Sequence, residues 1–306
     1  MNKIELEKIH QRIKPYVHNT PVLTSQIINK LCDAEVYFKC ENFQKMGAFK
    51  MRGAVNAILC LNKEQKSKGV VTHSSGNFAQ ALSLASKYLD VDAYIVMPKN
   101  APKVKKAAVR SYGGIIIESD STITARETMA QKIQNEKGAT FIHPSNDNQV
   151  IYGQGTAAIE LLKEHDDLDY IMAPIGGGGL IAGTILAAEN YSNRCKVIGT
   201  EPAEVDDAYR SLKSGKIELN NSFNTIADGL RTYLGSNNFP IIQQYIQEII
   251  CVDESEIIEA MKFVWERMKI VIEPSSAVPV AALIQNKEKF KNKKIGIIIS
   301  GGNVDL

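Results

Sequence analysis

The stretch Val70-Val71-Thr72-His73-Ser74-Ser75-Gly76-Asn77-Phe78-Ala79-Gln80-Ala81-Leu82-Ser83-Leu84-Ala85 reads as one strand–turn–helix unit. Val70 to Thr72 form a short apolar strand, and Ala81, Leu82 and Ala85 share a helix face. The unit recurs downstream. Ala93-Tyr94-Ile95-Val96-Met97 predicts a strand, followed by a helix through Val104 and Ala108. Ile115-Ile116-Ile117 predicts a third strand with a helix through Ala130 and Ile133, and Phe141-Ile142 a fourth strand. Wholly apolar strands alternating with helices imply a doubly wound, mainly parallel α/β sheet covered on both faces. These units fall between residues 69 and 145, so a second, smaller α/β domain is expected there, with a larger domain built from 1–60 and 146–306.

Working outward, Leu6, Ile9 and Ile13 mark an amphipathic helix that Pro15 and Pro21 close. Val36-Tyr37-Phe38 reads as a strand, and Ala54, Ile58 and Leu61 as a helix after Lys50. Beyond the central units come a helix near 155–162, a strand over 170–174, a helix after the glycine run, and strands at 196–199 and 295–299. Ligands of such sheets bind beyond the strand C-termini. Ser74, Gly176 and Ser300 each follow an apolar strand, so one end of the fold is expected to gather them.

Composition removes several classes of function. The 306 residues are 44% hydrophobic with net charge +2, enough for a large core. No long basic run interleaves with aromatics, which argues against nucleic acid. Cys32, Cys40, Cys60, Cys195 and Cys251 show no Cys-x-x-Cys spacing, so neither a zinc site nor a disulfide framework is expected. No apolar run approaches the roughly 20 residues of a membrane span. A soluble cytoplasmic protein is the expectation.

Four elements carry chemistry. Lys50 is a nucleophile if burial strips its proton. Gly176-Gly177-Gly178-Gly179 precedes the helix start Leu180-Ile181-Ala182-Gly183, and inward-turned amides at a helix N-terminus suit a phosphate. The run is not Gly-x-x-x-x-Gly-Lys-Ser/Thr, and no Gly-x-Gly-x-x-Gly opens a strand–helix unit, so a nucleoside triphosphatase and a nicotinamide enzyme are disfavoured. Ser300 can bond a pyridine nitrogen, and the 74–77 turn supplies further polar groups. A lysine, a phosphate loop and ring partners are the parts of a pyridoxal phosphate site.

Five segments extend this reading: Glu41-Asn42-Phe43-Gln44-Lys45-Met46-Gly47-Ala48-Phe49-Lys50, Thr72-His73-Ser74-Ser75-Gly76-Asn77, Thr225-Ile226-Ala227-Asp228-Gly229, Glu273-Pro274-Ser275-Ser276, and Ser300-Gly301-Gly302-Asn303-Val304-Asp305-Leu306. Together, and from Pro21 to Leu306, the chain resembles the serine racemase and serine/threonine dehydratase family of fold type II pyridoxal phosphate enzymes. The resemblance implies that Lys50 is the Schiff-base lysine and a catalytic base, with Phe49 beside the ring. Asn77 would meet the ring hydroxyl, Ser300 the pyridine nitrogen, and Gly176, Gly177, Gly178, Gly179 and Leu180 the phosphate. Ser74, Ser75, Gly76 and Asn77 would receive the substrate carboxylate. Ser75 would also act on the face opposite Lys50, as racemisation requires.

The resemblance further implies a Mg²⁺ or Ca²⁺ site from Glu201, the Val205 carbonyl and Asp207, and a homodimer. Arg126 and Arg231 are candidates for binding acidic groups of the substrate. Three residues depart from the family pattern: Ala48 for a serine, Phe78 for a histidine, and Ser145 for an asparagine near a nucleotide pocket. Ser145 argues against activation by ATP. The expected activity is an ammonia-lyase (dehydratase) converting L-threonine or L-serine to a keto acid and ammonia, with serine racemisation alongside. Alternatives are a serine racemase proper, a 3-hydroxyaspartate ammonia-lyase, a cysteine-synthase-like β-replacement enzyme and a pyridoxal phosphate binder without turnover.

Overall fold

The computed structural model describes residues 1–304; Asp305 and Leu306 of the last motif lie outside the described residues. The strands in chain order are β1 (Val22–Thr24), β2 (Glu35–Cys40), β3 (Val70–His73), β4 (Ala93–Pro98), β5 (Ile115–Ser119), β6 (Thr140–Phe141), β7 (Tyr170–Pro174), β8 (Lys196–Pro202), β9 (Glu248–Val252) and β10 (Lys294–Ile299). They form two sheets, ordered β1-β2-β10-β7-β8-β9 and β5-β4-β3-β6. Among the strand pairs of the described residues only β1–β2 is antiparallel. The central strands explain why. Val36, Phe38, Ile171, Met172, Ile295, Ile297, Ile298 and Ile299 are all fully buried, as strands covered on both faces must be.

Parallel pairing brings the strand C-termini to one side. Ile299 aligns with Cys40 and Ile297 with Met172, so the loops after β2, β10 and β7 leave side by side. The segment before Lys50 then folds back onto the segment after β10. Phe49 N–H donates to Ser300 O (3.0 Å), Gly302 N–H to Gly47 O (2.9 Å), and Asn303 Nδ2 to Met46 O (2.9 Å). Gly47 sits at φ +77°, and a Cβ there would lie 2.7 Å from Asn303 Oδ1. Only glycine fits that crossing.

The Lys50–Leu59 helix starts at this crossing and ties the sheets together. Met51, Ala54, Val55 and Ile58 share one core cluster with Phe78, Leu82 and Ile95 of the second sheet's layers. The helix also packs closely on the Asn148–Glu164 helix: a Cβ on Gly153 would come within 2.6 Å of Arg52 O.

The expected elements are present, with one difference in the Lys103–Ser111 helix. Its buried residues are Lys106 and Val109, while Val104 is 56% exposed. Lys106 lays its stem in the core and carries its amine out to Lys99 O (2.8 Å) and Glu118 Oε1 (2.6 Å). A lysine thus fills an inward position that the apolar pattern had assigned elsewhere. Among the described residues no helix is long and apolar enough to cross a membrane.

Candidate active site

A cleft of about 380 Å³ opens where the ends of both sheets converge, a volume suited to a small-molecule site. Phe49, Lys50, Ser74, Ser75, Gly76, Asn77, Arg126, Gly176, Gly177, Gly178, Gly179, Leu180, Arg231 and Ser300 all line it. Residues far apart in the chain, such as Asn77 and Asn303 across 226 positions, meet here because each follows or opens an element at the same end of the fold.

Lys50 is the first residue of its helix and points into the cleft. Its Nζ donates to Pro144 O (2.8 Å) and lies 5.0 Å from the Phe49 ring centre and 5.8 Å from that of Phe78. Burial pulls its pKa down from 10.5 to about 8, against the opposing charge of Glu273. An amine in this state is a competent nucleophile near neutral pH.

Asn77, the first residue of the Asn77–Tyr88 helix, is held at both ends. Its Nδ2 donates to both oxygens of Glu273 (3.0 Å each), and its Oδ1 accepts from Asn303 Nδ2 (2.9 Å). Glu273 itself caps the Pro274–Gln285 helix and is almost fully buried. Burial pushes its carboxyl up to about 7, although the Asn77 bond works the other way. Nearby, Ser300 Oγ lies 3.0 Å from Ser276 Oγ, which also donates to Gly301 O (2.7 Å) and accepts from Gly301 N–H (2.8 Å).

The glycine run forms the opposite wall. Gly178 adopts φ +79° and caps the Gly179–Tyr191 helix. Among the described residues, the amides of Gly176, Gly177, Gly178, Gly179 and Leu180 donate to no backbone or side-chain acceptor, which leaves them for an anion. Asn238, fully buried, fixes the loop from behind: its Nδ2 donates to Gly177 O (2.7 Å) and Ser145 O (3.2 Å), and its Oδ1 accepts from Gly235 N–H (3.0 Å). Ser145 fills the space facing Gly177, where a Cβ would meet Ser145 Oγ at 2.2 Å.

Two histidines that the sequence reading passed over line the cleft, His73 and His143. The signal was available, since His73 ends β3 and His143 follows β6. Their ring centres lie 5.8 Å apart, edge to face. His143 Nδ1 accepts from the amides of Ser145 (3.2 Å) and Asn146 (2.9 Å), so its ring proton sits on Nε2. Burial, followed by the His73 and Lys50 charges, lowers its pKa to about 4; burial also lowers that of His73.

The two arginines differ. Arg231 is exposed and turns its Nε back to Thr225 O (3.0 Å). Arg126 is half-buried, and its Nε is buried with no hydrogen-bond partner among the described residues. A cleft-lining guanidinium in that state is available to an acidic group.

Glu201, Val205 and Asp207 stand apart from the cleft, at the end of β8 and the start of the Asp207–Ser214 helix. All three are buried. Burial pushes Asp207 up to about 7; burial, then the Asp207 charge, raises Glu201 well above its usual range. Glu201 accepts from the amides of Ala208 (3.2 Å) and Tyr209 (2.9 Å). Asp207 accepts from Asn220 Nδ2 (2.9 Å) and Leu234 N–H (3.2 Å), while Asn220 Oδ1 is buried without a partner. Two buried carboxylates beside an orphaned oxygen fit a hard cation.

A family profile, pyridoxal-phosphate dependent enzyme, matches residues 13–301. The chain is 51% identical over 306 residues to a protein named serine racemase from Dictyostelium discoideum, an alignment covering 99% of this chain and 94% of that one. It is 47% identical over 297 residues to a beta-hydroxyaspartate dehydratase from Paracoccus denitrificans, covering 97% and 94%. The solved structure of a T.th. threonine deaminase superposes with TM-score 0.95 at 38% identity, over 100% of this chain and 99% of that one.

Proposed function

Given that the chain belongs to the pyridoxal-phosphate dependent enzymes, and to their racemase and ammonia-lyase group, we propose that it dehydrates β-hydroxy amino acids to a keto acid and ammonia. The observation that carries this reading is the meeting in one cleft of Lys50, whose burial brings its amine to about 8, and Ser300, which would meet the cofactor's ring nitrogen. The cofactor supplies the electron sink for charge developing at Cα. A carboxylate at its ring nitrogen would make that sink deep; a serine makes it shallower and favours prompt loss of a β leaving group.

The chain's own residues divide the remaining work. Lys50 Nζ anchors the cofactor and then takes the Cα proton. The amides of Gly176, Gly177, Gly178, Gly179 and Leu180 hold the phosphate. Asn77, braced by Glu273 and Asn303, orients the ring oxygen. Phe49 and Phe78 keep water from the Lys50 amine. Ser74 and the amides of the 74–77 turn receive the substrate carboxylate. Ser75 Oγ returns a proton on the other face when racemisation occurs. Glu201, the Val205 carbonyl and Asp207 would hold Mg²⁺ or Ca²⁺.

One observation favours a narrower substrate, 3-hydroxyaspartate. Arg126 lines the cleft with its Nε bound to no protein acceptor among the described residues, which leaves its guanidinium to turn toward a second carboxylate that serine and threonine lack. The deciding experiment incubates holoenzyme with L-serine, L-threonine and 3-hydroxyaspartate in turn, following keto acid release and, by chiral chromatography, the D-enantiomer. Keto acid from any of them supports the lyase. Preference for 3-hydroxyaspartate that vanishes in Arg126→Ala supports the narrower reading. D-serine with no keto acid overturns both in favour of a racemase.

A further inference from the structure

Ser276 stands directly behind Ser300, and a hydroxyl has only one proton to give. Ser276 Oγ has two acceptors in reach, Gly301 O at 2.7 Å and Ser300 Oγ at 3.0 Å. The carbonyl is nearer. One oxygen lone pair of Ser276 already takes Gly301 N–H at 2.8 Å. The other is left for Ser300. Both serines are buried, with exposures of 0% and 2%, so water does not compete for these bonds.

We propose that Ser276 sets the direction of the Ser300 hydroxyl and thereby the proton occupancy of the cofactor's ring nitrogen. The proposal rests on the reading that Ser300 meets that nitrogen. When Ser276 donates to Gly301 O, the Ser300 proton turns back to Ser276, and Ser300 offers the ring a lone pair that accepts from a protonated nitrogen. When Ser276 instead donates to Ser300, the Ser300 proton points forward and bonds a neutral nitrogen. The two arrangements exchange by rotating two hydroxyls, with no heavy atom moved. The shorter bond to Gly301 O weights the first arrangement. Ser276 is therefore a positioning residue that lets a serine hold a charged ring part of the time. A charged ring stabilises a Cα carbanion for longer, which raises the share of reprotonation against elimination.

The other ionisable group at this corner is Glu273, whose Oε1 would lie 2.9 Å from a Cβ on Gly301. It is common to all variants below. Alanine at 276 removes the backward acceptor. The Ser300 proton then has the ring nitrogen as its remaining partner, so the neutral nitrogen is favoured.

The test loads the protein with ¹⁵N-labelled cofactor and reads the ring-nitrogen resonance at one fixed pH. Ser276→Ala is expected to move the resonance toward the neutral-pyridine position. A hydrogen bond to a charged group at the low end of its usual range corresponds to about a tenfold change in proton occupancy. The ratio of Cα proton exchange to keto acid release is expected to fall by a similar factor. Ser276→Thr keeps the hydroxyl and is expected to keep the wild-type resonance. A Thr variant shifted as far as the Ala variant assigns the effect to packing and overturns the proposal. So does an unmoved Ser276→Ala resonance beside a displaced Ser300→Ala resonance. If Ser300→Ala moves nothing, the reading of Ser300 itself fails. Should Ser276→Ala not fold, Ser276→Cys, a weak acceptor of similar size, takes its place with the same expected shift.

Discussion

The chemistry of the cleft turns on one amine. Lys50 has lost protonation strength through burial, and the charge of Glu273, whose own carboxyl is pushed up to about 7, resists that loss only in part. The sign is definite. Between about pH 8 and the ordinary 10.5, the unfolded chain binds the Lys50 proton and the folded one does not, so the cofactor-free protein gains stability as pH rises through that window. The same shift governs reactivity. The rate at which cofactor-free protein captures pyridoxal phosphate is expected to rise with pH and level off above about pH 8. Stopped-flow absorbance between pH 6 and 10 measures it. A rate still climbing at pH 10 would mean the amine is hydrated and the cleft wet. Lys50, Ser300 and the glycine run were legible in the sequence because each belongs to a compact local motif. The roles of Glu273 and Ser276 were not, although both stand in a quoted motif, because those roles arise from neighbours far away in the chain, such as the Asn77–Glu273 bond across 196 positions.

Among the elements, the Lys50–Leu59 helix depends on a buried charge network. Arg52, fully buried, donates to Glu41 (2.7 and 2.8 Å) and to Glu160 (2.8 and 2.7 Å). Lys39 Nζ lies 2.7 Å from Glu160 and donates to Thr20 O at 2.6 Å. Two cations face two carboxylates. Burial alone would raise Glu160, but the His10 bond and the Arg52 and Lys39 charges hold it well below the usual carboxylate range. The network joins the strand before the site, the lysine helix and the Asn148–Glu164 helix. Removing one partner strands a buried charge, at a cost of about 3–5 kcal/mol. Arg52→Ala is expected to lose that much in urea unfolding of the holoenzyme. A loss below about 1 kcal/mol would show that water reaches the cluster. Periodicity gave no hint of this network. A charged residue facing inward reads from sequence as a break in the apolar stripe, the same ambiguity that misplaced the buried face of the Lys103–Ser111 helix onto Val104.

At the scale of the whole molecule, sequence alternation conveyed the parallel α/β architecture because buried parallel strands must be continuously apolar. It did not convey β1, three residues long, or β9, whose burial is interrupted. It also gave no view of how the Glu201–Asp207 corner reaches the cleft. Asn220 donates to Asp207 Oδ1 and to Thr232 O (2.7 Å), and Leu234 N–H donates to Asp207 Oδ2. Thr232 and Leu234 line the cleft, and Leu234 Cδ2 would lie 2.8 Å from a Cβ on Gly178. A cation on Glu201, Val205 O and Asp207 would therefore brace the wall against which the phosphate loop packs. Without it, both buried carboxyl groups are pushed toward their protonated forms, Glu201 in part by the charge of Asp207. Thermal unfolding of chelator-treated protein is expected to shift upward on adding Mg²⁺ or Ca²⁺, by the equivalent of about 2.7 kcal/mol at a hundredfold excess over the dissociation constant. The Glu201→Gln/Asp207→Asn pair is expected to abolish that shift while removing both carboxyl groups. Cofactor affinity should rise with the cation in the parent and stay constant in the double variant. A melting temperature indifferent to Mg²⁺, Ca²⁺ and chelator alike would reduce this corner to a hydrogen-bonded acidic turn, and the cleft wall would then stand on Asn220 and Asn238 alone.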